Sequence, residues 1–366
     1  MSGLVVHAAT VAAVILLDLS QDGPTLTADL VDVFSVSGSE TALADAIERA
    51  LAPLSHLRVD RLGNAVVART SLGRPERVVV AGHIDTVPEA GNLPSRREDG
   101  VLHGLGSCDM KGGVAVALRL AAALSDPNRD VTYVFYDGEE VEESRNGLKR
   151  VQLQRPDWLA ADFAVLMEPT GATVEGGCQG TLRAEVRVGG RRAHSARSWL
   201  GDNAIHGAGQ VLDRLRAYQP RLVRIDGLEY HEGLNAVYIS GGVAANVIPD
   251  QAVVTVNFRF APDRTLAQAA EHVMAVFDGF EVVVVDGAPG ALPGLSRPAA
   301  AAFVAAIGKP PRPKFGWTDV ARFTELGTPA VNYGPGDPGT AHTREELVQE
   351  SEIVECEERM LAWLAP

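Results

Sequence analysis

Cysteine is scarce in this chain of 366 residues: there are three, Cys108, Cys178 and Cys356, odd in number and scattered. That argues against a disulfide framework and for reduced thiols in a cytoplasmic protein. Positive charge is thin as well. Lys and Arg total 33 against 47 Asp and Glu, the formal net charge is −14 at pH 7, and no Lys/Arg-rich run occurs. The long-range field therefore opposes nucleic acid and anionic lipid, and neither nucleic acid nor a membrane is expected as a partner. The apolar stretch Leu4–Leu17 is too short to span a bilayer, and no Lys or Arg precedes Arg49, so the positive region of a signal peptide is missing. It reads as a first helix or an over-long start. What the chain has in quantity is apolar side chains, 46% of residues against 22% charged. That suffices for one large core plus a second domain and is too apolar for disorder.

From Thr27 to Leu54 the apolar spacing is helical, after which "NAVVAR" and "RVVVAGHID" read as short Val-rich strands. A helix follows over Gly112–Leu124, then the apolar runs "VTYVFYDGEE" and "DFAVLMEPT", each ending in acidic residues. Strands alternating with helices predict an α/β fold whose mixed, mainly parallel sheet is flanked by helices, with the site at the carboxyl ends of strands. Near Gly180 the pattern changes. "TLRAEVRV", "NAVYISGG" and "AVVTVNFRF" alternate apolar and polar residues, with helical stretches at Asn203–Tyr218 and Thr265–Phe277, which predicts an inserted α+β domain with an antiparallel sheet. The Gly- and Pro-rich "DGAPGALPGLSRP" marks the return. The expected division is a discontinuous first domain of residues 1–179 and 293–366 and an inserted domain of residues 180–292.

Five short segments carry candidate chemistry. "AGHIDTVP" sets His83 and Asp85 two apart, on one side of an extended strand end, so that an imidazole could bind metal while the carboxylate orients it. "GLGSCDMKGG" supplies Asp109 in a glycine-flanked turn before a helix, where it could bridge two cations or simply cap the helix; a phosphate-binding loop is a weaker rival, because the G-K-[ST] ending is absent. In "YDGEEVEE" one carboxylate could bind metal while its neighbour serves as general base, although such acidic runs are often plain solvated surface. "LMEPT" adds Glu168 and "GTAHTREEL" adds His342. As a set, two His and three carboxylates suit two metal ions about 3.5–4 Å apart, with zinc better matched to mixed N/O ligands than magnesium or calcium, and cobalt a substitute.

In order and spacing these segments resemble the co-catalytic zinc family of aminoacylases, acetylornithine deacetylases and glutamate carboxypeptidases. The resemblance covers nearly the whole chain. It implies a zinc-exopeptidase-like catalytic domain in which His83 and Glu168 bind one zinc, Glu140 and His342 bind the other, and Asp109 bridges them. Asp85 would orient His83, Glu139 would be the base, and the Asp109–Met110 peptide would be cis. The inserted domain would be a lid through which the chain forms a homodimer, with His194 reaching the partner's site to hydrogen-bond the oxyanion and Asn246 beside it. Arg259 and Thr318 fall where family members hold substrate carboxylates.

Within that family, "NLPSRREDG", "EGGCQGTLR", "RAHSARSWLGDNAIH", "NFRFAPDR", "KFGWTDVARF" and "GPGDPGTAH" are similar to an actinobacterial branch that acts on a succinylated diamino acid. The likeness implies hydrolysis of N-succinyl-LL-2,6-diaminopimelate to succinate and LL-2,6-diaminopimelate. Alternatives are the same chemistry on acetylornithine or another acyl amino acid, cleavage of a C-terminal residue, and a non-catalytic binding protein. Cys178 and Pro338 depart from the pattern of proteobacterial members, which leaves two substrate contacts open while no metal ligand is missing.

Overall fold

The computed structural model describes residues 15–366, so most of the apolar Leu4–Leu17 stretch and His7 lie outside the described residues. The chain divides into two compact units. One comprises the chain up to Ala160 with Met167–Ala172 and Gly334–Pro366; the other comprises Ala161–Leu166 and Thr173–Tyr333.

In the first unit the strands lie in the order Arg58–Leu62, Ala65–Arg69, Asp130–Tyr136, Arg77–His83. The first two pairings are antiparallel and the last is parallel. Val78, Val79, Val80 and the whole of Asp130–Tyr136 are buried, as expected of strands covered on both faces. Helix Gly112–Ala123, nearly all Ala, Val and Leu, packs against helix Gly23–Asp32 and the C-terminal helix Glu350–Leu364. The helical expectation for Thr27–Leu54 resolves into two helices, Gly23–Asp32 and Thr41–Leu51. They are separated because Ser35 and Ser37 turn their hydrogen bonds toward Ile84, Asp85 and Thr86, and Gly38 adopts a left-handed φ of 97°.

In the second unit the antiparallel sheet runs Gly233–Gly241, Gln251–Phe260, Gly180–Gly189, Glu281–Ala288. Its two central strands, Gly180–Gly189 and Gln251–Phe260, alternate buried residues with more exposed ones. The buried row, including Leu182, Val186, Val254, Val256 and Phe258, packs with Ala208 and Val211 of helix Ala204–Ala217 and Val273 of helix Leu266–Val276. Asn203 caps the first of these helices, and Thr265 with Gln268 forms a capping box on the second, so each orphaned helix start is satisfied locally. All these elements fall within residues 180–292. The unit also holds strands Phe163–Leu166, Ala330–Asn332, Glu175–Gly176 and Arg312–Pro313 in that order. Among the described residues, no helix is long and apolar enough to cross a membrane.

Glu232, buried in the second unit, tests the electrostatics of this fold. Its Oε1 accepts from Arg221 at 2.8 Å, Arg264 at 3.0 Å and the Ala261 N–H at 3.1 Å. Burial by itself would raise its pKa, but these hydrogen bonds and the two guanidinium charges outweigh it and hold the carboxyl below the usual glutamate value. A depressed folded-state pKa gives stability that is present above the unfolded-state value of about 4.3 and is lost as pH falls through the folded value. Glu232→Gln is therefore expected to cost about 3 kcal/mol in urea unfolding at neutral pH. The difference from the parent should shrink below about pH 4; an equal difference at all pH values would refute the ionic account.

Candidate metal centre

His83 ends the buried strand Arg77–His83 and is 1% exposed. Its Nε2 lies 3.1 Å from Asp109 Oδ1, and its Nδ1 lies 3.1 Å from the carbonyl oxygen and 3.5 Å from Oδ1 of Asp85. Asp85, fully buried, does more than face this imidazole. Its carboxylate also accepts the N–H groups of Glu139 at 3.0 Å and Glu140 at 3.1 Å, and the Ser37 hydroxyl at 2.7 Å. One carboxylate thus fixes the turn that follows strand Asp130–Tyr136 and the imidazole on the neighbouring strand.

Asp109 presents one oxygen to each histidine: Oδ1 to His83, and Oδ2 to His342 Nε2 at 3.4 Å. His342 Nε2 also lies 2.8 Å from Glu140 Oε1. Ligand atoms within 4.8 Å of one another form the sets His83, Asp109, Glu168 and Asp109, Glu140, His342, which share Asp109; a third set joins His83, Glu139 and Glu140. The five sequence-predicted ligands and the predicted base thus converge within the first unit. The shared carboxylate with an imidazole and a further carboxylate on each side fits a dinuclear metal centre with mixed N/O donors.

Electrostatics point the same way. Burial would raise the Asp109 pKa, but hydrogen bonds from His342 and His83 drive it well below the carboxylate range. Hydrogen bonds to Asp109 and Glu140 push His342 up to about 10. His83, although its burial disfavours charge, is raised well above the usual histidine value by Asp109 and Asp85. The carboxylates demand positive charge between them, which protons supply to the metal-free protein and for which bound cations would compete.

Neither the helix-cap reading of the glycine-flanked turn nor the weaker phosphate-loop reading is supported by its geometry. Helix Gly112–Ala123 has Lys111 at its N-cap with no side-chain cap, and Asp109 sits in non-helical backbone two residues earlier, so it is not a capping residue. A Cβ on Gly113 would lie 2.0 Å from Met167 O. The glycine lets the helix start approach the main chain next to Glu168, a packing need unrelated to phosphate. The Asp109–Met110 peptide is cis, as the resemblance implied. Cys108 is fully buried with its thiol pKa driven up by desolvation, which disfavours the thiolate needed for ligation.

The remaining candidates belong to the second unit. His194 pairs with Val247 in a two-stranded ladder, and the next residue's N–H, that of Ser195, donates to Asn246 O at 2.9 Å. The exposed His194 ring accepts the Ala196 N–H at Nδ1, 3.1 Å away, which in a neutral imidazole puts the proton on Nε2 and leaves it free to donate. Arg259 lies on strand Gln251–Phe260; among the described residues its guanidinium has no ion pair, and desolvation lowers its pKa. Thr318 is buried, donating to Asn332 Oδ1 at 2.8 Å, while Cys178 Sγ lies 3.6 Å from its carbonyl oxygen. Sequence reading missed Ser37, Lys111 and Glu346. Glu346 lies four positions after His342 and directly after Glu345, and nothing local singles it out.

The model of the peptidase family M20/M25/M40 matches residues 79–365. A Mycobacterium tuberculosis protein provisionally named as the succinyl-diaminopimelate desuccinylase DapE is 60% identical over 336 residues, covering 91% of this chain and 95% of its own. Succinyl-diaminopimelate desuccinylase of Corynebacterium glutamicum is 50% identical over 350 residues, covering 93% and 95%. Acetylornithine deacetylase of Myxococcus xanthus is 31% identical over 314 residues, covering 80% of each. Among solved structures, a tripeptidase from Staphylococcus aureus superposes with a TM-score of 0.78 at 20% identity, covering 95% of this chain and 98% of that one; it shares the fold.

Proposed function

The chain belongs to the peptidase family M20/M25/M40, hydrolases of amide bonds, and within it we propose that the protein converts N-succinyl-LL-2,6-diaminopimelate and water to succinate and LL-2,6-diaminopimelate, with two zinc ions bound. The observation that carries the metal chemistry is Asp109, with one oxygen toward each histidine. The choice of substrate is supported by 50–60% identity, over more than nine-tenths of the chain, to proteins named for that reaction.

His83 and Glu168 would hold one zinc, Glu140 and His342 the other, with Asp109 between. When bound, the pair polarises the amide carbonyl and acidifies water. The residues do the rest. Glu139 accepts a proton from water as its oxygen attacks the succinyl carbonyl carbon, then returns the proton to the diaminopimelate nitrogen as the C–N bond breaks. Asp85 holds the Glu139 and Glu140 backbone and the His83 ring in register for this. His194 Nε2–H, supplied by the partner subunit, hydrogen-bonds the tetrahedral oxyanion, with Asn246 alongside. Arg259, which has no ion pair among the described residues, and Thr318 serve the substrate's carboxylates.

Residues 180–292 would act as lid and dimerisation domain, residues 1–179 and 293–366 as the catalytic domain. Strand Gly233–Gly241 supports the dimer: it is an edge of its sheet and exposes Val237, Tyr238 and Ile239, a combination that monomers usually avoid. A cytoplasmic setting accords with three buried cysteines that form no disulfide. Purified zinc-loaded protein is expected to turn over succinyl-diaminopimelate with kcat/KM at least about 100-fold above that for acetylornithine. Faster hydrolysis of the acetylated substrate would overturn the assignment and favour the deacetylase alternative.

A further inference from the structure

Glu346 is 1% exposed and is used by none of the steps above. Its two oxygens accept three backbone N–H groups from one turn: Gly106 at 3.0 Å on Oε2, and Cys108 at 3.1 Å and Asp109 at 3.0 Å on Oε1. The turn is the one that carries the doubly engaged Asp109. Three residues around it are in unusual backbone states: Gly106 is left-handed, and Asp109 and Met110 leave helical geometry. Such a turn leaves amide hydrogens pointing inward, and in a buried setting each must find an acceptor. A carboxyl group that collects them sets the turn's shape through those hydrogen bonds. Glu346 is itself anchored, since its main-chain oxygen accepts the Gly104 N–H at 3.2 Å and the next residue begins strand Leu347–Gln349, paired with Val101–His103. Four residues earlier the same segment carries His342. The buried Lys111 side chain, which donates to Val33 O at 2.8 Å, lies within electrostatic reach of Glu346.

We infer that Glu346 is a positioning residue for the dinuclear centre: it clamps the Asp109 turn onto the segment bearing His342, so that each Asp109 oxygen faces a different histidine. The inference rests on the two-metal reading. It assigns to Glu346 no contact with substrate or metal, only the orientation of the ligand shared by both metal positions, and so it concerns affinity and geometry at both.

The test is titration of the metal-free protein with Co(II), followed by visible absorption, for wild type, Glu346→Gln, Glu346→Ala and, as a structural control, Glu357→Gln. Glu357 is a buried carboxylate of the same unit whose partner is Arg119. Wild type should take two equivalents. Glu346→Ala, which removes all three acceptor contacts, should bind about 10–100-fold more weakly and change the Co(II) spectrum, the loss typical of an outer-shell partner. Glu346→Gln keeps the shape and one acceptor oxygen and should fall between. Glu357→Gln should lower Tm while leaving affinity and spectrum at wild-type values. Native affinity and spectrum in Glu346→Gln and Glu346→Ala overturn the inference while the two-metal reading stands. Fewer than two equivalents in wild type overturns both. If the alanine variant does not fold, the glutamine variant decides alone, and a wild-type Co(II) spectrum in it refutes the role.

Discussion

Glu139→Gln is expected to lower kcat about 1,000-fold, in the middle of the range that general acid–base catalysis supplies, with KM changed by less than about threefold. The amide side chain keeps the volume of the carboxylate but cannot accept the water's proton. The backbone at this position is held independently, by the Asp85 carboxylate through the Glu139 and Glu140 N–H groups, so the substitution leaves the turn in place. The alternative role for Glu139 is as a metal ligand, because its carboxylate is grouped with His83 and Glu140 as well. Metal analysis separates the two. A base leaves two metals per chain in the variant; a ligand leaves fewer. Activity within tenfold of wild type would remove Glu139 from the mechanism and revive the reading of the chain as a binding protein.

His194→Ala should cost about 100-fold or more in kcat, the usual consequence of losing one oxyanion donor. The decisive measurement is complementation. In a two-fold dimer with His194 acting in trans, a hybrid of one Glu139→Gln chain and one His194→Ala chain has one site with both residues intact. After exchange of subunits in equal amounts, half the dimers are hybrids, and activity should recover to about a quarter of wild type. No recovery under conditions where exchange is demonstrated by a labelled chain would show that His194 acts within its own chain or not at all. The ring's protonation makes the expectation specific: with Nδ1 committed to the Ala196 N–H, the neutral ring has Nε2–H as its only donor, so His194→Gln, with an amide N–H at similar reach, should retain more activity than alanine.

These expectations lean unequally on sequence and structure. The α/β core and the inserted antiparallel sheet were legible because periods of 3.6 and 2 record which side chains are buried, and Val78–Val80 or Val254–Phe258 advertise their burial in their own composition. The break at Val33–Glu40 was not, because apolar spacing ran through it and only the contacts of Ser35 and Ser37 with the following segment at Ile84–Thr86 end the helix. The exposed or buried state of the acids in "YDGEEVEE" was likewise hidden: Glu139 and Glu140 are half-buried because Asp85, more than fifty residues earlier, collects their N–H groups, while Glu142 and Glu143 lie at the surface.

By itself the sequence determined the kinds of chemistry available, two imidazoles and a set of carboxylates at the ends of Val-rich strands, and, through a likeness running almost end to end, the family and the residues worth naming. Tertiary structure alone decided how those groups face one another: that Asp109 turns one oxygen to each histidine, that Asp85 serves both His83 and the Glu139 turn, and that Glu346 gathers three amides of the Asp109 turn across some 240 residues of chain. The reason is physical. A side chain's burial leaves a mark in local composition, but the long-range amide partners of Asp85 and Glu346 are backbone N–H groups, which every residue except proline carries alike, so the sequence holds no sign of which ones they will meet.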